Sequence, residues 1–276
     1  MTICKHAGIC SGCAWIDKKY SDQLALKEKA LEHLLPLDSP KPKLISVGES
    51  HLRNRLDFTL LRQPNDDLVL GLYSIVKQSI VDIEECPALA PNLEETLRVF
   101  KHDFPPVIKK GSVRLRVSPR GQRGVWLDFA NNDIKALFDE KEWLTRLLVH
   151  FTVEVGQRHK RLLLEGGRLK LADPQPQPWM NTYVGPDLEE FPLYSTIAGF
   201  TQVSQEGNRE IISQIRDILR ESTSQNWMEL FGGAGNLTLP MASWEKFVRM
   251  YEVDKISLKS LEVSLRHFEK KKISRL

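Results

Sequence analysis

Hydrophobic and polar positions change period along the chain. In "YSDQLALKEKALEHLL", Leu24, Leu31, Leu34 and Leu35 recur at helical spacing before Pro36, which predicts an amphipathic helix over Tyr20–Leu35. "LDSPKPK" follows as a linker. From Leu44 to about Val155 the period falls towards two. "LDFTLLRQ", "LVLGLYS", "SVRLRVSP" and "GVWLDFA" read as short strands broken by Gly, Pro and Asn-Asp turns, with helical insertions at Asn92–Lys101 and Asp139–His150. This pattern predicts an α+β domain with an antiparallel sheet. The proline-rich stretch Ala172–Pro192 reads as irregular. A helix (Gln205–Glu221), a strand (Trp227–Phe231), a glycine-rich turn, a short helix, a strand (Phe247–Tyr251) and a last helix (Ser257–Lys271) complete the chain. That β-α-β-α order opens a parallel α/β sheet.

Composition narrows the class without naming it. A chain of 276 residues suggests about two domains, and 41% hydrophobic with 27% charged residues is a soluble composition with material for a core. A net charge of +3 and a pI near 8.6 permit nucleic-acid binding without arguing for it. No window reaches the uninterrupted apolar length of a membrane helix, and "MTICKHAGIC" has no signal-peptide core. A cytoplasmic location is therefore expected, where four cysteines are not expected to form two disulfides.

Those cysteines are unevenly placed. Cys4, Cys10 and Cys13 form C-x5-C-x2-C, and Cys86 stands far downstream in "EECPALAP". A tight local group with an outlying thiolate suits an iron–sulfur cluster better than zinc, which more often uses two paired knuckles. Four unrelated buried thiols is the plainer alternative. The second candidate is "MELFGGAGNLTLPMA", where Gly232, Gly233 and Gly235 lie between a strand and a helix. Such a turn lets backbone N–H groups approach a ligand, although it also serves merely to pack helix on strand. The next strand ends in "RMYEVD", with Glu252 nearer the strand end than Asp254. Glycines, helix and acid-tipped second strand together point to an adenosine-type ligand.

Three stretches together resemble the RNA uracil-5-methyltransferases that make 5-methyluridine in transfer or ribosomal RNA. "CKHAGICSGCAWIDKKYSDQLALKEKAL" is similar to that family's cluster loop and following helix, through Trp15, Tyr20, Gln23, Leu24 and Lys27. "LRNRLDFTL" resembles its Arg-Asn strand, and "GFTQVSQEGNREII" followed by the glycine turn resembles its entry into the cofactor domain. An RNA-binding barrel found ahead of the cluster in some members is missing, which resembles the shorter branch.

The resemblance implies a mixed α/β and α+β architecture with three parts: a cysteine-rich cluster loop and helix (1–43), a central α+β RNA domain including Cys86 (44–195), and the first part of a Rossmann-like class I methyltransferase domain (196–276). It implies a [4Fe–4S] cluster held by Cys4, Cys10, Cys13 and Cys86, S-adenosylmethionine contacted by Gln202, Phe231, Asn236 and Glu252, an rRNA or tRNA substrate, no membrane partner and a monomer. Phe231 would pack beside the cofactor and Glu252 would accept the ribose hydroxyls. Two departures stand out: Glu229-Leu-Phe-Gly232-Gly replaces Asp-Leu-Phe-Cys-Gly, and Ser204 replaces the Asn of Phe-x-Gln-x-Asn.

In that family a cysteine adds to uracil C6, C5 attacks the sulfonium methyl, a base removes the C5 proton and the cysteine leaves. The nucleophile and base lie downstream of the cofactor loop, in strands this chain does not contain. The expectation is a C-terminally truncated member with no assignable catalytic residue, inactive alone. The alternative is a non-catalytic iron–sulfur or zinc RNA-binding remnant. Candidate RNA-facing cations are Arg53 and Arg55, Arg114 and Arg116, Arg120 and Arg123, and Arg158 with Arg161. Trp15 and Trp126 are candidate base-stacking residues, with core packing the plainer role for each.

Overall fold

A computed structural model of the protein describes residues 4–36, 38–101, 104–129, 134–156, 159–268 and 273–275. Arg158 and the end of the expected last helix, 269–271, lie outside the described residues.

The amphipathic helix forms as α1 (Tyr20–Leu34), but none of its residues is buried and Leu34 is 80% exposed. Its apolar stripe is therefore uncovered. Strands β1 (Arg55–Arg62), β2 (Leu68–Ser74) and β3 (Ser79–Asp82) make a meander. Helix α2 (Pro91–Phe100) starts with proline in its first turn and buries Leu93, Leu97 and Phe100, one face at helical spacing. Strands β4 (Lys110–Val117) and β5 (Arg123–Asp128) extend the sheet. Helices α3 (Ile134–Asp139) and α4 (Lys141–His150) then carry the chain to β6 (Thr152–Val155), which pairs with β5 in parallel. The expected antiparallel sheet thus has one parallel step, because the helical connection returns the chain in the same direction. β7 (Lys160–Glu165) and β8 (Arg168–Ala172) complete an eight-stranded sheet in the order β3-β2-β1-β4-β5-β6-β7-β8.

The two faces of this sheet differ in chemistry. Phe58, Leu60, Val113, Leu115, Val125, Leu127 and Val153 turn to one side and share a core with α2 and α4. The opposite side carries Arg55, Asp57, Arg114, Arg116, Trp126 and Glu154. Cross-strand register aligns Asp57, Arg114, Trp126 and Glu154 in one row and sets Arg55 opposite Arg116.

The stretch expected to be irregular contains a hairpin, β9 (Gln177–Val184) with β10 (Glu189–Ser195). Pro178 and Pro192 are tolerated because the hairpin is only two strands wide, so each strand keeps a free edge. Met180 and Leu193 share a core with Ala234, Leu239, Met250 and Leu261, so the hairpin packs with the C-terminal part of the chain. There, α5 (Gln205–Glu221) precedes β11 (Asn226–Leu230), α6 (Thr238–Ser243), β12 (Phe247–Tyr251), α7 (Lys255–Arg266) and β13 (Ile273–Arg275). β11, β12 and β13 pair in parallel in that order, one strand more than the sequence pattern shows. Among the described residues no helix is long and apolar enough to cross a membrane.

Candidate donor, cluster and RNA sites

The C-terminal ends of β11 and β12 form the rim of the first site. β11 ends one residue earlier than the sequence pattern suggests because Phe231 turns into the left-handed region, at φ 60°. Left-handed backbone costs a non-glycine residue about 1 kcal/mol or more, and such strain collects at ligand sites. Phe231 is 86% exposed, so it lies outside the core.

The next two glycines act differently. A Cβ at Gly232 would lie 2.2 Å from Met250 Cγ and 2.7 Å from its sulfur, so here glycine makes room for a neighbour. Gly233 has φ 57° and open space on its Cβ side, a conformation glycine adopts without strain and a clearance that leaves room for a ligand beside the backbone.

Glu252 closes the rim. Its carboxylate accepts from the N–H groups of Gly233 at 2.9 Å, Val253 at 2.7 Å and Asp254 at 2.8 Å. These N–H bonds, that of Asp254 first, hold its pKa below the usual value despite partial desolvation, so it is ionised at neutral pH. Asp254 is occupied as the N-cap of α7, accepting from Ile256 and Ser257. The two acids are thereby separated by role: Asp254 caps, and Glu252 faces the loop.

The remaining sequence-predicted donor residues differ in freedom. Asn236 and Asn208 exchange side-chain amide bonds of 3.0 and 2.7 Å, and the Thr182 hydroxyl donates to Asn236 O at 2.7 Å. Asn236 therefore ties the loop to α5 and β9. Gln202 is half-buried and its amide has no hydrogen-bond partner among the described residues. Ser204, where the resembled family carries Asn, is the N-cap of α5 and accepts from Gly207 N at 3.0 Å. Serine and asparagine cap comparably, so that departure conserves the local structure.

The four cysteines, distant in sequence, line one cavity of about 170 Å³ with apolar walls that include Ile16, Leu56, Leu72 and Ile83. All four are free thiols. Burial raises the pKa of Cys13 and Cys86; Cys13 also feels the sulfurs of Cys10 and Cys4, and Cys86 those of Cys13, Cys4 and Cys10. Gly12 N–H points at Cys10 Sγ, 3.3 Å away, and a Cβ on Gly12 would press on Leu72 at 3.0 Å. The sulfurs surround this space without converging: among the described residues no group of three or more His, Cys, Asp or Glu is arranged to hold a metal ion.

Of the arginines expected to face RNA, Arg55 and Arg116 are buried, Arg120 is exposed, and Arg53, Arg114, Arg123 and Arg161 are half-buried. Arg116 is 1% exposed and donates to Thr196 O at 2.8 Å, Ile197 O at 3.2 Å and the Thr201 hydroxyl. Desolvation first, then Arg55 and Arg114, depress its pKa to about 9. Arg114 forks onto Asp57 at 2.5 and 3.0 Å and donates to Ala198 O. Trp126 lies against the Arg114 guanidinium, so it belongs to the same packed face. A phosphate role for Arg116 is excluded by these partners. What sequence reasoning missed is Glu154, 4% exposed, which accepts from Ile197 N at 3.0 Å and Ala198 N at 3.2 Å. Its only sequence signal is a charge inside the strand "TVEV". Glu154, Arg114 and Arg116 thus grip both polar edges of residues 196–201, the segment leading to Gln202.

Arg55 differs. It is 8% exposed, its Nη1 has no partner, and its guanidinium lies 5.4 Å from the ring of Phe200, itself 72% exposed.

No family model matches the chain. Over 268 residues it is 40% identical to an uncharacterized RNA methyltransferase of Bdellovibrio bacteriovorus, covering 95% of this chain and 66% of that protein. It is 27% identical over 247 residues to a 23S rRNA (uracil(1939)-C(5))-methyltransferase of Photorhabdus laumondii, covering 86% and 53%. It is 25% identical over 266 residues to a tRNA/tmRNA (uracil-C(5))-methyltransferase of a Sulfurovum species, covering 93% and 67%. The chain thus spans roughly half to two thirds of the length of the relatives it matches. Its fold is that of the Pyrococcus abyssi tRNA (uracil-54, C5)-methyltransferase solved with S-adenosyl-L-homocysteine, at a TM-score of 0.65 and 13% identity over 98% of this chain and 65% of that one. The chain belongs to the family of RNA methyltransferases that includes these uracil-C5 enzymes.

Proposed function

We propose that this chain carries the donor-binding rim and the RNA-reading sheet of a cytoplasmic S-adenosylmethionine-dependent RNA uracil-C5 methyltransferase. The observation that carries the reading is the rim itself: an exposed phenylalanine held left-handed, open space beside Gly233 and an ionised Glu252 at adjacent strand ends. Phe231 would lie along the adenosine part of the donor, Glu252 would accept the ribose hydroxyls, and Gln202 has an amide to offer. Asn236 would act through the loop it anchors. Arg55 and Phe200 would meet the RNA, the first by charge and the second by stacking. We place the working boundary of the donor unit before the β9–β10 hairpin, because Met180 and Leu193 share its core.

For the thiol cavity we infer a [4Fe–4S] cluster on Cys4, Cys10, Cys13 and Cys86. Support comes from four thiols around one apolar space and from the Gly12 N–H aimed at a sulfur, both suited to a multi-atom thiolate-bound group. Its role would be structural: methyl transfer moves no electron, and the cavity joins residues 4–16 to β2 and Cys86. All four cysteines of the sequence line that cavity, which leaves none in this chain to add to uracil C6.

The test is titration of the chain with S-adenosylhomocysteine, followed by incubation with labelled S-adenosylmethionine and uracil-containing RNA. The expected result is binding that Glu252→Ala weakens at least tenfold, with no label at C5. Absence of binding, or equal binding by the variant, would overturn the donor site. Methyl transfer by this chain alone would overturn the assignment of all four cysteines to the cavity.

A further inference from the structure

At the opposite end of the parallel strands lies a second, unrelated cavity. Gln225 and Lys246 immediately precede β11 and β12, whereas Phe231 and Glu252 immediately follow them, a separation of about five residues or ~16 Å. The cavity has a volume of about 510 Å³, the size of a small-ligand site. Its walls carry the cations Arg216, Arg220 and Lys246 together with the Trp244 indole, and among the described residues its only lining carboxylate is the exposed Glu245.

The cations are unevenly compensated. Lys246 is 8% exposed, and its ammonium makes one hydrogen bond, to Ser224 O at 3.0 Å. An ammonium has three donors, and a nearly buried one with a single carbonyl partner is under-satisfied. Arg220 has no hydrogen-bond or ion-pair partner among the described residues. Arg216 is fixed by Pro186 O at 3.1 Å and Asp217 at 3.2 Å, so it forms rigid wall. Trp244 is pinned by its Nε1–H on Gly185 O at 2.8 Å and packs in part against the clusters around Ile212 and Met241, so the part of the indole that lines the cavity is held rigid. Glu245 adopts φ 65°, a left-handed turn that directs the next residue, Lys246, inward. A non-glycine residue keeps such a conformation only where its surroundings enforce it.

We propose that this cavity is a phosphate site for a nucleotide, with the phosphate between Lys246 and Arg220 and the base against Trp244. The shared chemistry is a phosphorylated nucleoside; its source is either a nucleotide of an RNA strand or a free mononucleotide. The RNA source rests on the proposed RNA substrate, whereas the phosphate site itself does not.

The experiment uses three probes on the full chain: inorganic phosphate, uridine 5′-monophosphate and a uridine-rich single-stranded RNA. Wild type is compared with Arg220→Ala, a change at the helix surface, and with Lys246→Met. The expected result is that phosphate and the mononucleotide bind wild type and lose at least fivefold in affinity in both variants. If RNA is the natural source, the dependence of log K for RNA on log salt also becomes shallower by about 0.7 in each variant, one phosphate contact on a single strand. An unchanged salt slope with weakened mononucleotide binding assigns the site to the free nucleotide. Wild type that binds neither phosphate nor mononucleotide overturns the proposal, as does equal affinity in Arg220→Ala. Failure of wild type to bind RNA at all would instead count against the RNA substrate, and the phosphate titrations would still decide the cavity.

Discussion

At the residue scale, burial and backbone N–H groups separate two acids on neighbouring strands, Glu229 within β11 and Glu252 just after β12. Glu252 is held ionised by three backbone N–H groups, while Glu229 is pushed from 4.5 up to about 7 by burial, with only the Thr238 hydroxyl opposing the shift at 2.5 Å. The sign follows from proton counting. Between about pH 4.5 and 7 the folded Glu229 holds a proton that the unfolded chain has released, so its contribution makes stability fall as pH rises through that window and level off above it. Glu229→Gln keeps the shape and an acceptor for Thr238 while removing the titration. The variant is expected to equal wild type near pH 5 and to exceed it near pH 8, as measured by urea denaturation across that range. A wild-type advantage at pH 8 would show that the carboxylate is stabilising and the burial argument misplaced.

At the element scale, periodicity was legible in several of the elements that bury one face. Gln205–Glu221 and Phe247–Tyr251 have the bounds the pattern predicts, and α2 is displaced by one residue. The β9–β10 hairpin was hidden by its prolines, which disfavour a central strand but not a strand with a free edge. Phe231 was read as strand because its φ belongs to the loop's tertiary setting and leaves no mark in residue type. Gly232 shows a departure from the resembled motif explained only by packing. Its missing Cβ is the space that Met250, 5% exposed, occupies. Gly232→Cys, which restores the family residue, is therefore expected to cost about 1–3 kcal/mol by overpacking. In the Met250→Val background the cost should fall by at least about 1 kcal/mol, since the two sites share one volume. A double-mutant cycle in denaturant measures this, and additive costs would disprove the shared-space account.

At the scale of the whole molecule, the two sheets are unequally built. The eight-stranded sheet buries a continuous face under α2 and α4, with Leu60, Leu97, Leu115, Val125 and Val153 fully inaccessible. The β11-β12-β13 sheet is covered on one side only: Met228, Leu230 and Phe247 are 62%, 60% and 55% exposed on the other. A parallel sheet gains its stability from two covered faces, so this one has the lower local free energy of opening. The grip of Glu154, Arg114 and Arg116 on residues 196–201 ties the large sheet to the segment leading to Gln202 without covering the smaller sheet. The chain is therefore expected to open in two steps. In amide hydrogen exchange, Leu60, Leu115 and Leu127 should outlast Met228 and Met250 by a factor of ten or more. If S-adenosylhomocysteine binds at the proposed rim beside Glu252, it should slow exchange at Met228 and Met250 and leave the large sheet nearly unchanged, because a ligand stabilises only the states that bind it. Exchange of both sets at one common rate would mean that the grip couples the units into a single cooperative structure, and the ligand would then slow both alike.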